Sequence, residues 1–302
     1  GCECWEEAEG KLQEMAANKA LSKSGLEKKD IRYIVAGDLL GQLMASSFGL
    51  MKLEIPMFGI YGACSTMGES ISIASMLVDG GYADNILAIT SSHFASAEKQ
   101  FRFPLGYGSQ RKMASTWTVT GSGAVIISSE KMAQKANMSD KNKVHITGIT
   151  TGKIVDFGVK DSMNMGACMA PAAGNVIVQN LIDNGRKPEW YDKIITGDLG
   201  LVGKDILLDI TRSKGYDIAD RYMDCGIEIY SREQEIQAGG SGCGCSASML
   251  AGYIVKMLEK GTWQRVLFVP TGALLSPVSF NEGDSVPGIA HAVVFECSGE
   301  SQ

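Results

Sequence analysis

Histidine is scarce in this chain. Of 302 residues only His93, His145 and His291 carry an imidazole, which leaves little material for imidazole-based acid–base or metal chemistry. Basic residues are also in deficit: 28 Lys and Arg stand against 34 Asp and Glu, a formal net charge of −6. That balance argues against a nucleic-acid surface, which needs clustered cations to neutralise phosphates. No apolar run approaches the ~18–20 residues of a membrane span. The first residues do not read as a signal peptide, so any membrane association is expected to be peripheral. Cys-x-x-Cys is absent. The eight cysteines include two close pairs, Cys2/Cys4 and Cys243/Cys245. Cys-x-Cys without histidine companions is a weak zinc signal, so reduced thiols and no metal site are expected.

What is present reads as a globular α/β protein. Hydrophobic residues make up 45% and charged residues 21%, ordinary proportions for such a chain. The 36 glycines gather at strand ends and turns, where backbones take positive φ or approach closely.

The order comes from an internal duplication. Ile34-Val35-Ala36-Gly37-Asp38-Leu39 matches Ile194-Ile195-Thr196-Gly197-Asp198-Leu199. Each is a short β-branched strand after an amphipathic helix (Glu7 to Ser22; Ala172 to Asn184). Ala63-Cys64-Ser65 matches Gly244-Cys245-Ser246, and the strands Ile86 to Thr90 and Ala124 to Ile127 match Leu267 to Thr271 and Ala292 to Phe295. The helices opening at Cys64 and Cys245 are rich in Ser, Ala, Met and Gly, as helices buried between layers are. The expected architecture is therefore a pseudo-duplicated five-layer α-β-α-β-α sandwich with mostly parallel mixed sheets. The halves are expected to span 1–138 and 139–302, meeting in the polar stretch Ala133 to Lys143. The second half opens with a strand, Val144 to Ile154, that has no counterpart in the first. An N-terminal segment missing from the given chain, or an irregular sheet edge, is expected there.

Cys64 follows the apolar strand Ile55 to Tyr61 and precedes the helical run Met67 to Leu77. A thiol at a helix N-terminus meets orphan N–H donors and the positive dipole end, which lower its pKa. Such a residue is a candidate nucleophile or anion cradle, or equally a small buried hydrophobe. None of the histidines stands where such a cysteine would need a partner.

Gly62-Ala63-Cys64-Ser65-Thr66, the closing Gly288-x-x-x-Ala292-Val293-Val294-Phe295-Glu296 strand and the duplication together resemble the thiolase and ketoacyl-synthase superfamily. Ser91-Ser92-His93, Gln100-Phe101-Arg102-Phe103-Pro104, Met169-Ala170-Pro171-Ala172-Ala173 and Thr271-Gly272-Ala273-Leu274-Leu275-Ser276-Pro277 narrow the resemblance to the stage V sporulation AD family of spore-forming bacteria. That resemblance covers essentially the whole chain. It implies a protein that binds dipicolinic acid (pyridine-2,6-dicarboxylate) and assists its uptake with calcium into the developing spore. It implies further a homodimer paired through an edge strand of the first half, membrane partners from the stage V sporulation A transport system, and a place in the forespore, soluble or peripheral to the inner spore membrane. No cofactor is implied beyond calcium accompanying the ligand.

Condensation in that superfamily needs a cysteine with two His, or a His and an Asn, to stabilise oxyanion and enolate. By the resemblance, Thr196 and Ser241 stand at those positions. Loss of one oxyanion donor costs about 10²–10³ in turnover, and Asp198 would set a negative charge nearby. A non-enzyme is therefore expected, with Cys64 a vestigial nucleophile. The expected ligand set is Cys64 as a helix-start cradle, His93 after its strand, Arg102 as a carboxylate clamp beside aromatic rings, Asp156, Asp198 and Ser241. Blander roles stay open: His93 as a strand-end cap, Arg102 as a surface or interface charge, Cys245 and His291 as core residues. The alternative function is a cysteine-dependent acyltransferase using Cys64 with His93 as base.

Overall fold

The computed structural model describes residues 1–101, 105, 112–135 and 143–297. The expected boundary between halves falls partly on residues outside that set. The first half runs α1 (Trp5–Ser24), β1 (Tyr33–Gly37), α2 (Met44–Leu50), β2 (Met57–Gly59), α3 (Thr66–Asp79), β3 (Asn85–Ser92), α4 (Phe94–Phe101), β4 (Trp117–Thr118), β5 (Gly121–Ser128) and α5 (Glu130–Lys135). The second runs β6 (Val144–Thr150), α6 (Met165–Asp183), β7 (Lys193–Thr196), α7 (Gly200–Ser213), β8 (Tyr222–Asp224), α8 (Cys225–Glu228), β9 (Gly240–Ser241), α9 (Cys243–Met249), α10 (Val255–Glu259), β10 (Arg265–Val269), β11 (Thr271–Ala273), α11 (Pro277–Asn281), β12 (Gly288–Ala290) and β13 (Ala292–Cys297). A π-helical turn, Leu250–Ile254, joins α9 to α10 into one rod.

The two main sheets repeat one topology. The first has the order β2-β1-β3-β5 and the second β8-β7-β10-β13-β6. In each, three strands are parallel and the fourth, β5 or β13, is antiparallel to its neighbour. β6 then adds to β13. Among the described residues the first sheet has no strand in the equivalent place beside β5, matching the asymmetry read from the sequence.

Alternating side chains explain the layers. On β3, Ile86 and Ala88 face a core with Met67 and Ile71 of α3, while Leu87 and Ile89 face Ala17 and Leu21 of α1. On β10, Val266 and Phe268 join that same central core, while Leu267 and Val269 pack under α6 and α7. One core shared by alternate residues of both sheets makes α3 and the α9–α10 rod the middle layer. The five expected layers are present.

Helix α6 is, at 19 residues, long and apolar enough to cross a membrane by composition, contrary to the expectation that no such stretch exists. It is 72% buried in the protein. Its Asn180 donates to Thr150 Oγ1 and accepts from the Tyr191 hydroxyl, as a core helix does.

A candidate ligand cavity at Cys64

Cys64 lies in a turn rather than in the helix proper. Ser65 N donates to Gly62 O, Thr66 Oγ1 donates to Ala63 O, and α3 begins at Thr66. Ala63 sits at φ 51, a left-handed conformation that costs a residue with a Cβ on the order of 1 kcal/mol. Gly272 of β11 presses against this turn. A Cβ there would stand 2.4 Å from Gly62 O and 3.2 Å from Cys64 N, so the close approach demands glycine.

The thiol is buried, and its polar neighbours are the Asp198 carboxyl and the Gly242 N–H. Burial first, then the charge of Asp198, push the Cys64 thiol well above its ordinary value. This reverses the lowering expected from the helix start. The dipole effect is worth about 0.3–1 kcal/mol at exposed sites, and desolvation together with a neighbouring acid outweighs it.

Asp198 is fully buried in the turn between β7 and α7. Its Oδ2 accepts from Gly242 N at 2.8 Å and its Oδ1 from Thr271 Oγ1 at 2.7 Å. Burial pushes its pKa up to about 7 against the pull of these donors. Thr196, at the position the resemblance gives to a condensing histidine, engages elsewhere. Its hydroxyl donates to Asp224 Oδ1 at 2.6 Å and lies 2.6 Å from the Tyr222 hydroxyl. Asp224 also accepts from Leu199 N, Gly200 N and Ile227 N, so this pair anchors the turn that carries Asp198. The sequence reading missed Asp224.

β4 pairs with β9, setting Thr118 opposite Ser241. Both line a small inner cavity with Cys64, Ala63 and Met165. Its volume is about 40 Å³, room for on the order of one water. Outside it opens a larger groove of about 410 Å³, lined by the 39–43 loop, Tyr61, Gln100, Phe101, Leu275 and Pro277. Leu39, Tyr61, Phe101 and Leu275 border both spaces. They form an apolar collar between groove and inner cavity, also unread from the sequence.

The remaining candidates are dispersed. His93 Nδ1 accepts from Ala95 N at 3.2 Å and Ser96 N at 3.5 Å, capping α4. Burial lowers its pKa. The ring therefore serves helix α4 and is not hydrogen-bonded to Cys64. Asp156 is exposed, lines neither cavity, and accepts from Ser285 Oγ and Gly158 N, which hold its carboxyl below the usual range. Arg102 lies outside the described residues. Among the described residues no cluster of three His, Cys, Asp or Glu groups could hold a metal. His291 is buried with Gly152 N at 3.4 Å from Nδ1. The structure thus brings together Cys64, Asp198 and Ser241, and sets His93 and Asp156 apart from them.

Solved structures with this fold include OleA of Xanthomonas campestris, as a cysteine-to-serine variant with bound lauric acid and lauroyl-CoA (TM-score 0.63, 13% identity, covering 94% of this chain and 82% of that one). The 3-oxoacyl-[acyl-carrier-protein] synthase III of Aquifex aeolicus VF5 is another (TM-score 0.57, 16% identity, 94% and 83%). At such identities the likeness shows a thiolase-like fold and nothing finer. In sequence, stage V sporulation protein AD of Bacillus subtilis (strain 168) is 46% identical over 295 residues, 98% of this chain and 84% of that protein. The family model for stage V sporulation protein AD matches residues 1–296. With the duplicated sheets, the Cys64 turn and that near-complete match together, the chain belongs to the stage V sporulation protein AD family.

Proposed function

We propose that this sporulation protein is a non-catalytic, thiolase-like receptor for dipicolinic acid, which it helps deliver with calcium into the developing spore. The observation that carries the reading is the pairing of Cys64 with Asp198. Burial first, and then the Asp198 carboxyl beside it, push the thiol well above its ordinary pKa, whereas acyl transfer needs a thiolate. Nδ1 of His93, the base in the acyltransferase alternative, is taken up as an acceptor at the start of α4.

The lining of the two spaces, an apolar collar before an inner space with Cys64, Thr118 and Ser241, supports an acid on an apolar ring. One carboxylate of the ligand fits the inner space beside Cys64, Thr118 and Ser241, and the pyridine ring lies in the collar of Leu39, Tyr61, Phe101 and Leu275. Arg102, near in sequence to Phe101, is proposed to meet the second carboxylate. Asp156 has no part at this cavity; calcium travels as cargo with the ligand. Because Asp198 ionises near neutrality, a bound dianion is disfavoured as pH rises through about 7.

A homodimer is proposed through β2. Among the described residues this strand pairs only with β1, and its other edge carries no strand. Met57 and Phe58 are exposed there beside Phe48 and Met51 of the neighbouring helical segment. Membrane proteins of the stage V sporulation A system are the proposed further partners, and the forespore is the proposed location.

Calorimetric titration with dipicolinate, with and without calcium, tests the reading. Wild type is expected to bind, with affinity falling above about pH 7, and Tyr61→Ala to weaken binding roughly tenfold, about 1.4 kcal/mol. No heat of binding at any pH, or acylation of Cys64 by a thioester, would overturn it.

A further inference from the structure

Helix α1 presents Glu9, Gln13, Ala17 and Leu21 as one buried stripe. Its apolar end packs on β1 and β3, and its polar end enters a hydrogen-bonded chain with a definite direction. Gln13 Nε2 donates to Ser46 Oγ at 2.9 Å and to Ser91 Oγ at 2.8 Å, with Gly37 O a more distant third acceptor at 3.3 Å. Ser46 passes its own hydrogen to Asp38 Oδ2 at 2.6 Å, and Ser91 passes its hydrogen to Glu9 Oε1 at 2.9 Å. Two buried carboxylates therefore sit at the ends of a chain driven from one central amide. The amide's own oxygen is buried with no hydrogen-bond partner.

Each end of the chain holds one wall of the groove. Asp38 also accepts from Leu40 N and Ser46 N, fixing the 39–43 loop. Glu9 Oε2 meets Ser96 Oγ at 2.6 Å, and Ser96 Oγ lies 3.2 Å from His93 O at the start of α4. Helix α4 ends in Gln100 and Phe101, which line the opposite wall. When Glu9 is protonated, it donates to Ser96 and Ser96 donates to His93 O, closing the chain without a buried charge. When it is ionised, a second negative charge stands near Asp38.

The charges around Glu9 do not relieve this. Glu6 of α1 faces it, with Lys99 of α4 already paired to Glu6. Asp38 faces it from the end of β1, and the Cys243 thiol faces it from α9. Glu98 of α4 is turned to Thr118 N, and β3 contributes Ser91, which is neutral. Among the described residues no Lys or Arg pairs with Glu9 or Asp38.

We infer that Glu9, acting through Ser96 and Gln13, is a proton-operated positioning residue: protonated, it clasps α1 to both walls of the ligand groove, and ionised, it loosens them. The inference does not depend on which ligand occupies the groove. Burial raises the Glu9 pKa to about 7. For a carboxyl raised in the folded state, the stabilisation is complete below the unfolded value and is lost as pH climbs to the folded one.

Amide hydrogen exchange on the full chain, corrected for intrinsic rates, reads this directly. Between about pH 5 and about pH 7, protection of α1, α4 and the 39–50 segment is expected to fall roughly tenfold per unit and then level off. Helix α6 serves as the internal control and should not change. Glu9→Gln should abolish most of the decline. Ser96→Ala cuts the link between Glu9 and His93 O, so α4 should lose the decline while α1 and the 39–50 segment keep it, carried to higher pH because a donor that favours the ionised form is gone. Protection of these segments in wild type that does not vary with pH would overturn the inference, as would a decline that survives Glu9→Gln unchanged.

Discussion

At the scale of single residues, the account rests on what surrounds one sulfur atom. Cys64 stands just before a helix, which by itself favours a thiolate, but burial and Asp198 decide the matter the other way. Asp198→Asn keeps the shape and removes the charge, so the thiol pKa is expected to fall. Each unit of fall raises the thiolate fraction roughly tenfold. Alkylation of Cys64 followed by intact mass at fixed pH measures this; an unchanged or slower rate in Asp198→Asn would show that Asp198 does not restrain the sulfur. The sequence made Cys64 visible because Gly-Ala-Cys-Ser before a helical run is a local pattern. Burial is not local, so the direction of its pKa shift was unreadable. The partner of Thr196 was unreadable for the same reason. Position along a turn does not say which side chain points inward, and here the threonine hydroxyl bonds to Asp224, a partner from another strand.

At the scale of elements, strand alternation and the repeated segments made the sheets and the two central helices legible. Boundaries moved where turns intervene: β6 stops at Thr150, short of Ile154, and β2 shrinks to Met57–Gly59. The pairing of β4 with β9 went unread, since two-residue strands leave no periodicity. So did the polar end of α1, although Glu9 and Gln13 on a stripe otherwise apolar are a sequence-level sign of a buried network. The short β2 edge carries the proposed dimer. Phe58→Glu puts a charge on an exposed edge residue, and sedimentation should show monomers for it and dimers for wild type. Identical sedimentation of the two proteins would place the contact elsewhere.

At the scale of the whole molecule, two copies of one α/β plan enclose a shared helical core, and the cavity opens where their strand ends meet. The same scaffold serves condensing enzymes among its structural relatives. Fold alone therefore does not choose between chemistry and binding. The proposed reading rests on the local arrangement: a thiol pushed well above its ordinary pKa, a buried acid, an inner space of about 40 Å³ and an apolar collar before it. A crystal structure of the protein grown with dipicolinate tests this most directly. One carboxylate should occupy the inner space beside Cys64 and Ser241, with the ring between Tyr61 and Phe101 and the sulfur unmodified. Dipicolinate bound away from the collar, or an acyl group attached to Cys64, would contradict the account.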